Sequence, residues 1–424
     1  MKLVVLTTRL FDRPTSGGEI CTARLLLGLR QAGHQVVLVG RGDADAARRW
    51  ADTCVSIGPI ERPIDEQGKA RRAAAVLGAL LAGLPVTVHR QGGRAAVAAV
   101  APWLVQADAV VVDHLQAWPW RGGRATPPCM LVQHNVESDN YRRRSRAARR
   151  GYQGQPQGRR LLQWVMSREA HGLEALELEA LRQAEIVACL SDGDAERMGE
   201  LAQRAGQAAR ARLEVLPGYP LALEPVRACP ARSVGLPAIG LIGTWTWAPN
   251  REGLMWLLGR VWPLLQGQAR LVLAGNGLEG LPLPPDTRTL GRVADVRQFF
   301  DEVDLIAVPS LNGSGVQEKA IEAVASGLPV VATPHALRGL GDALPPQVLR
   351  AGEPEAFAAA CRQALQATAA DRAHQQATAH WAGQRRQRYE EALGRCLAAL
   401  AGAGQARPDA LAAGPQCACD RSAP

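Results

Sequence analysis

The stretch SLNGSGVQEKAIEAVASGLPVVAT, residues 310–333, is the part of the sequence that best indicates the fold class. It reads as a glycine-rich loop, a short helix and a buried strand. Gly327 can end the helix, and the apolar run Leu328–Thr333 follows directly. A loop, helix and strand in this order are typical of an α/β protein.

The same stretch carries groups that suit a nucleoside diphosphate with a ribose. The backbone N–H groups of Gly313, Ser314 and Gly315 can face an anion, and the following helix adds the positive end of its dipole. Lys319 and Glu322 lie three residues apart, so a cation and a carboxylate share one helix face. The carboxylate would accept hydrogen bonds from ribose hydroxyls. An ordinary turn with a solvated Lys/Glu pair fits the local pattern equally well.

Length and composition favour a globular protein with two domains. The chain has 424 residues, 47% of them hydrophobic, and a net charge of +9. A basic protein can meet nucleic acid, an anionic membrane or phosphorylated substrates. Aromatic residues make up only 4% and do not alternate with basic ones, so no nucleic-acid partner is expected. Only three residues are lysines, which gives weight to Lys319 in a loop of this kind.

Cysteine usage indicates a reducing compartment. The nine cysteines are scattered and odd in number, and only Cys417 and Cys419 are closely spaced. This argues against a zinc site and a disulfide framework. The N-terminus reads as a first strand rather than a signal peptide, and no run of about 18 apolar residues suggests a membrane span. We expect a cytoplasmic protein.

Alternating strand and helix patterns predict two Rossmann-like, doubly wound domains that face each other across a cleft. The first half opens with a strand at Leu3–Thr8, a helix at Glu19–Gln31 and a strand at Gln35–Gly40. Further strands are predicted at Ala109–Val112, Met130–Gln133, Ile186–Leu190, Ile239–Gly243, Leu271–Ala274, Leu305–Val308 and Leu328–Thr333, with a long helical region at about 141–184. The predicted organisation is an N-terminal acceptor-side domain 1–215, a linker 216–236, a nucleotide-sugar-binding domain 237–365, helices 366–405 that pack back toward the N-terminal domain, and a disordered tail 406–424.

Ligands of open α/β sheets bind beyond the carboxyl ends of the strands, which directs attention to the residues that follow them. In the first half these are Gly17 and Gly18, at a helix start where a phosphate can approach the backbone, and His114 and His134. A histidine there can donate to a sugar hydroxyl or move a proton. The alternatives are a plain turn for the glycines and loop hydrogen bonding for the histidines.

In the second half the corresponding candidates are Gly243, Asn250, Gly275 and Arg292. Gly243 allows close approach, and Asn250 is predicted to cap the next helix. Gly275 begins a tight turn that can approach a nucleobase, and Arg292 can face a base or a phosphate. A surface salt bridge between Arg292 and Asp295 is an equal alternative.

The arginine run 142–150 is an open case. Exposed helical solvation is its default interpretation, and contact with a membrane surface or an anionic acceptor is the alternative.

Together these segments resemble a retaining glycosyltransferase of family 4 with the GT-B fold, of the bacterial type that makes exopolysaccharide or cell-surface glycans. The resemblance covers the chain to about residue 400. Its strongest segments are GTWTWAPNREGLMWLL (243–258), VLAGNG (272–277), LGRVADV (290–296) and residues 304–340; the first half adds GGE (17–19), VVVDHLQ (110–116) and LVQHNVESDNYR (131–142). The family carries two glutamates separated by seven residues. Glu322 matches the second, whereas Ser314 stands in place of the first.

The resemblance implies transfer of a hexosyl or related sugar from a nucleotide diphosphate sugar to an acceptor hydroxyl, with retention and without a metal or other cofactor. His114, Lys319 and Glu322 would serve the reaction, with Lys319 on the diphosphate and Glu322 on the ribose. Gly17, Gly18, His134, Gly243, Asn250, Gly275, Arg292 and Gly313–Gly315 would help to bind the donor. The implied partners are the donor, a glycan or lipid-linked acceptor, and peripherally an anionic membrane at the inner face of the cell membrane. The absent first glutamate favours one alternative, a non-catalytic sugar- or partner-binding protein on a degenerate GT-B scaffold.

Overall fold

The computed structural model contains two parallel β-sheets flanked by helices, one sheet in each half of the chain. It describes residues 1–61, 67–123, 127–150, 159–206, 209–221, 235–313, 315–341, 343–366 and 372–405. Most of the predicted linker, the predicted tail and Ser314 lie outside these ranges. Two predictions, a disordered tail and a role for Ser314, therefore concern residues beyond this description.

The first sheet has seven parallel strands in the order β3-β2-β1-β4-β5-β6-β7. Its central strands are buried on both faces, so runs such as Leu3–Leu6 are continuously apolar rather than alternating. The strands are β1 (Lys2–Thr7), β2 (Gln35–Gly40), β3 (Thr53–Ser56), β4 (Ala109–Asp113), β5 (Cys129–Gln133), β6 (Ile186–Cys189) and β7 (Arg212–Val215).

The described residues of this half contain seven α-helices. The first begins after Ser16, whose Oγ accepts a hydrogen bond of 3.3 Å from the N–H of Glu19. They are α1 (Gly17–Gln31), α2 (Lys69–Leu81), α3 (Val86–His89), α4 (Gly93–Leu104), α5 (Glu137–Arg150), α6 (Arg159–Gln183) and α7 (Asp192–Arg204). The single helical region predicted at about 141–184 is thus two helices, and residues 151–158 between them are not described.

The second sheet has six parallel strands in the order β10-β9-β8-β11-β12-β13. The strands are β8 (Ala238–Ile242), β9 (Arg270–Ala274), β10 (Arg288–Gly291), β11 (Leu305–Val308), β12 (Val330–Ala332) and β13 (Val348–Arg350). The helices of this half are α8 (Ala248–Trp256), α9 (Val296–Phe300), α10 (Glu318–Ala325) and α11 (Pro354–Gln366).

The last described helix, α12 (Arg372–Gln405), returns to the first half of the chain. Tyr389, Leu393 and Leu400 belong to the hydrophobic core between α1 and the first sheet. A Cβ placed on Gly28 of α1 would lie 2.6 Å from Leu393 Cδ2, so a larger residue at this position would require the Leu393 side chain to shift.

Each sheet reverses its strand order once, between β1 and β4 and between β8 and β11. The loops that leave these strands diverge to opposite faces and open a crevice, the usual ligand position in this class of fold. The predicted fold class, two doubly wound α/β units, is confirmed. No helix in the part of the chain that the structure describes is both long and apolar enough to cross a membrane. The six described cysteines are free.

Candidate functional site

Each place where a sheet reverses its strand order is called a switch point here. At the first switch point, between β1 and β4, the carboxylate of Asp113 is the centre of a buried polar cluster. Its Oδ1 accepts a hydrogen bond of 2.7 Å from His134 Nε2, and its Oδ2 accepts from the hydroxyls of Thr7 at 2.9 Å and Thr22 at 2.6 Å. Burial opposes ionisation, but the imidazoles of His114 and His134 and these hydrogen bonds hold the pKa of Asp113 well below its usual range. Asp113 is therefore a fixed anion that orients His134.

His114 lies beside this cluster in an unusual backbone conformation. Its φ is +85°, the one positive φ among the described residues other than glycine. The imidazole stacks on that of His134 with the ring centres 3.7 Å apart, and a Cβ on Gly18 would lie 3.4 Å from its Cε1. Burial, together with the charge of His134, lowers the pKa of His114 to about 4. His114 is thus a neutral imidazole at neutral pH, about a fifth exposed, beside the Gly17-Gly18 turn.

The predicted glycine turns meet the opposite half of the molecule. A Cβ on Gly17 would touch Glu318 Cγ at 3.4 Å, and one on Gly315 would overlap Asn135 Oδ1 at 2.4 Å. Gly315 also has a φ of +69°, which favours glycine. The two switch points therefore face each other directly, with the first turn of α1 against α10.

A buried ion pair joins these two elements. Arg24 of α1 donates from Nη1 to Glu318 Oε1 at 3.1 Å and from Nη2 to Oε2 at 2.7 Å. Arg24 Nε donates to the Tyr219 carbonyl at 2.9 Å, and the Cys21 thiol lies 3.1 Å from Glu318 Oε1. Neither Arg24 nor Glu318 was a predicted site residue, because their pairing depends on how the two halves dock.

Lys319, the next residue of α10, is partly buried against α8. Its Nζ donates to Asn250 Oδ1 at 2.8 Å, and Asn250 Nδ2 donates to the Thr244 carbonyl at 3.1 Å. Burial lowers the pKa of Lys319 to about 8. No carboxylate pairs with this ammonium among the described residues, so its positive charge has no counter-ion there and can bind an anion.

The prediction that Asn250 caps α8 is wrong. The helix begins at Ala248 with Trp247 as its N-cap, so Asn250 is the third helical residue. Pro249 fits the first turn of a helix and was the signal for this earlier start. The side chain of Asn250 instead connects Lys319 to the loop that follows β8.

Glu322 lies one helical turn after Glu318. Its carboxylate makes no hydrogen bond within the described part of the chain. Burial, with the nearby charge of Glu318, raises the pKa of Glu322 to about 7, and Arg24 opposes the shift. A half-buried acceptor without a partner suits a ligand hydroxyl.

The glycine loop ahead of α10 is held by arginines from both halves. Arg143 of α5 donates to the Gly313 carbonyl at 3.0 Å, and Arg338 donates to the Gly315 carbonyl at 2.7 Å. Sequence reasoning missed both partners, although Arg143 belongs to the arginine run that it singled out.

Gly243 and Gly275 belong to a packed bundle of loops after β8 and β9. Gly275 has a φ of +110°, and a Cβ there would lie 1.8 Å from the Gly243 carbonyl oxygen. Trp245 is buried beside them and donates from Nε1 to the Ala274 carbonyl at 3.0 Å. Close backbone packing thus requires glycine at Gly275 whatever else it does.

Arg292 is exposed and makes no ion pair with any described residue. The alternative of a salt bridge with Asp295 is wrong, because Asp295 pairs with Arg297 at 2.6 Å and caps α9.

One group of described side chains has the composition of a metal site. Ligand atoms of Asp113, His114 and His134 lie within 4.8 Å of one another. Both Asp113 oxygens already accept hydrogen bonds, which a cation would have to replace. The absence of a metal requirement stays a prediction.

The second half of the chain is similar in sequence to a family of glycosyltransferases. Residues 237–367, which carry the second sheet, match the model of a family described as Glycosyl transferases group 1. A comparison with curated protein sequences gives no match.

Several solved structures resemble nearly the whole chain. HepE of Anabaena in complex with UDP-glucose has a TM-score of 0.57 at 15% identity, covering 94% of this chain and 99% of its own. Sucrose-phosphate synthase of Thermosynechococcus elongatus has 0.57 at 15%, covering 96% and 98%. α,α-Trehalose 6-phosphate synthase of Burkholderia multivorans has 0.60 at 16%, covering 95% and 99%. At these identities the likeness shows the fold, which is GT-B as predicted.

Proposed function

We propose that this protein transfers a sugar from a nucleoside diphosphate sugar to an acceptor hydroxyl. The observation that carries the proposal is Lys319, a partly buried ammonium that hydrogen-bonds only neutral Asn250 among the described residues and stands in the first turn of α10. A partly buried cation with no counter-ion at a switch point suits a diphosphate. The family match over residues 237–367 and the UDP-glucose bound by the structurally similar HepE support the same ligand class.

The donor would lie along α10. Lys319 and the loop around Gly313 and Gly315 would hold the diphosphate, with the positive end of the helix dipole adding to the field. Glu322, three residues further on, would accept hydrogen bonds from the ribose hydroxyls. Lys319 would stabilise the diphosphate most when it leaves, because negative charge then grows on its oxygens.

The transferred sugar would lie at the first switch point. His114 is neutral at neutral pH, so its imidazole can donate to or accept from a sugar hydroxyl without carrying charge. The hydrogen bond from His134 to Asp113 fixes the ring on which His114 stacks. Asp113 itself has both oxygens engaged and makes a poor nucleophile.

Retention by a front-face reaction is the stereochemical course that the sequence resemblance implies. The bond from the anomeric carbon to the diphosphate breaks as the bond to the acceptor oxygen forms on the same face. The acceptor proton passes to the departing phosphate oxygen, so no protein nucleophile is needed. Membership of family 4, a bacterial origin and a role in surface glycan synthesis are parts of the proposal that rest on the sequence resemblance.

Peripheral contact with an anionic membrane is part of the same proposal. The first turns of α6 expose Leu161, Leu162 and Trp164, close in the chain to the arginine run. Exposed apolar side chains beside arginines suit a membrane surface with negative headgroups.

The direct experiment offers UDP-glucose, GDP-mannose and dTDP-glucose to the purified protein and measures donor binding and hydrolysis. Binding and turnover of one of them are expected, and Glu322→Ala should weaken binding of that donor. Binding without turnover, with any acceptor extract, would favour the non-catalytic alternative. If no donor binds, the proposed function is lost.

A further inference from the structure

A wide, arginine-rich pocket opens in the first half of the molecule, beside the loop at Gly313 that is assigned to the donor. It has a volume of about 550 Å³ and lies among α5, α6 and α7. Five of its side chains are arginines: Arg142, Arg143, Arg146, Arg197 and Arg204. Only two lining residues, Asp139 and Glu174, are acidic. The lining therefore carries an excess of positive charge.

The two carboxylates hold part of the wall in place. Asp139 Oδ1 accepts from Arg142 at 3.3 Å and its Oδ2 from Arg197 at 3.0 Å, while Glu174 pairs with Arg142. Arg142 and Arg197 are thereby fixed before any ligand arrives. This reduces the side-chain entropy that binding would cost.

Three arginines of the pocket keep their charge available. Arg146 and Arg204 form no ion pair with any residue in the described ranges. Arg143 hydrogen-bonds a neutral group, the Gly313 carbonyl. A planar guanidinium can form two parallel hydrogen bonds with a carboxylate or a phosphate, but not an ion pair with a neutral glycan. Three available positive charges favour a phosphate ester, which carries more negative charge and more oxygens than a carboxylate.

The pocket is next to the proposed donor loop. Arg143 both lines the pocket and holds Gly313, so a ligand in the pocket would lie against the loop that leads into α10. It is also on the half of the molecule opposite Lys319. A volume of this size admits a diphosphate together with an attached sugar.

We propose that this pocket binds a phosphate or diphosphate group on the acceptor. The inference rests on the proposed function and names its acceptor as a phosphorylated molecule. Two sources share this chemistry, a lipid-linked diphosphate and a soluble sugar phosphate. The pocket would anchor the charged end of either one so that its hydroxyl reaches the transferred sugar.

The test measures binding of farnesyl diphosphate and of glucose 1-phosphate to the full-length protein while saturating UDP occupies the donor site. The variant is Arg146→Gln with Arg204→Gln. The matched control, Arg48→Gln with Arg260→Gln, removes the same charge from exposed positions outside the pocket. We expect the pocket variant to bind about tenfold more weakly or worse, since charge-assisted hydrogen bonds are lost, and the control to match the wild type. The affinity of Arg146→Lys for these probes should lie between those of the pocket variant and the control, because lysine keeps the charge but cannot form the two parallel hydrogen bonds.

Binding of farnesyl diphosphate alone identifies a lipid-linked acceptor, and binding of glucose 1-phosphate alone a soluble one. Equal affinity in the pocket variant and the control overturns the inference, as does the absence of binding by either probe. UDP-glucose binding is measured in parallel. If it is intact while neither phosphate binds, only the pocket assignment fails; if it is absent in the wild type, the proposed function fails.

Discussion

Arg24 and Glu318 form a bidentate ion pair, with hydrogen bonds of 3.1 and 2.7 Å, between the first helix of one sheet and the donor-side helix of the other. Both side chains are almost completely buried. Arg24 follows the Gly17-Gly18 turn on α1, and Glu318 precedes Lys319 on α10. The pair therefore fixes the distance between the two turns that we assign to the donor.

Glu318→Leu should lower the free energy of unfolding by about 3–5 kcal/mol, because it leaves a buried guanidinium without a partner. Chemical denaturation followed by circular dichroism measures this. The double variant Arg24→Met with Glu318→Leu should recover most of the loss. Arg386→Gln, which breaks the exposed pair with Glu390, should cost less than about 1 kcal/mol. A Glu318→Leu protein as stable as the wild type would show that the pair does not hold the halves together.

Donor affinity should pass through a maximum between pH 7 and pH 8. Glu322, with a pKa raised to about 7, is protonated below that pH and loses its charge for the ribose. Lys319, with a pKa lowered to about 8, loses its charge for the diphosphate above that pH. Titration calorimetry with a nucleotide sugar, whose esterified diphosphate has no terminal proton to titrate, measures both limbs. Glu322→Gln should flatten the acidic limb only, and an acidic limb that survives in this variant would assign it to another group.

His114→Asn should lower kcat by about 10- to 100-fold, the effect of losing one hydrogen bond made in the transition state. Asparagine tolerates the positive φ of this position, so the backbone is kept. Binding of UDP alone should not change, because the nucleotide lies along α10. Steady-state kinetics and UDP titration separate the two effects. Equal losses of kcat and of UDP affinity would contradict the proposal that His114 contacts the transferred sugar and not the nucleotide.

Removal of metal ions with EDTA should leave sugar transfer unchanged. Asp113 already accepts hydrogen bonds from His134, Thr7 and Thr22, and the leaving diphosphate is assigned to Lys319. Activity is measured before and after dialysis against the chelator, and again after Zn²⁺ or Mg²⁺ is restored. A loss that one of these ions reverses would make Asp113, His114 and His134 a metal site.

Much of the fold could be predicted because its central strands are apolar on both faces. The runs in β1, β2, β4 and β5 were recognised on that basis. The edge strands β3, β7, β10 and β13 were missed, since each is short and only partly buried and therefore lacks a continuous apolar run. An amino-acid sequence therefore predicts a buried strand more reliably than a strand at the edge of a sheet.

Some residues of the candidate site could likewise be predicted from the sequence, and others could not. His114 stands directly after β4, and Lys319 stands in the first turn of the helix that follows β11, where the fold class alone directs attention. Arg24, Glu318, Arg143 and Arg338 acquire their roles from contacts between the two halves or across distant loops, and no local pattern carries that information. Asn250 was misassigned by one turn of a helix, a displacement that Pro249 could have revealed.

The measurement that tests the central claim most directly is donor binding and sugar transfer by Lys319→Met, with Lys69→Met as control. Lys69 is an exposed lysine at the start of α2, remote in sequence from the donor-side residues. The account predicts donor affinity about 10- to 100-fold weaker for Lys319→Met, because a desolvated charge on the diphosphate is lost, with turnover reduced further. Lys69→Met should match the wild type. Wild-type donor affinity and turnover in Lys319→Met would contradict the account.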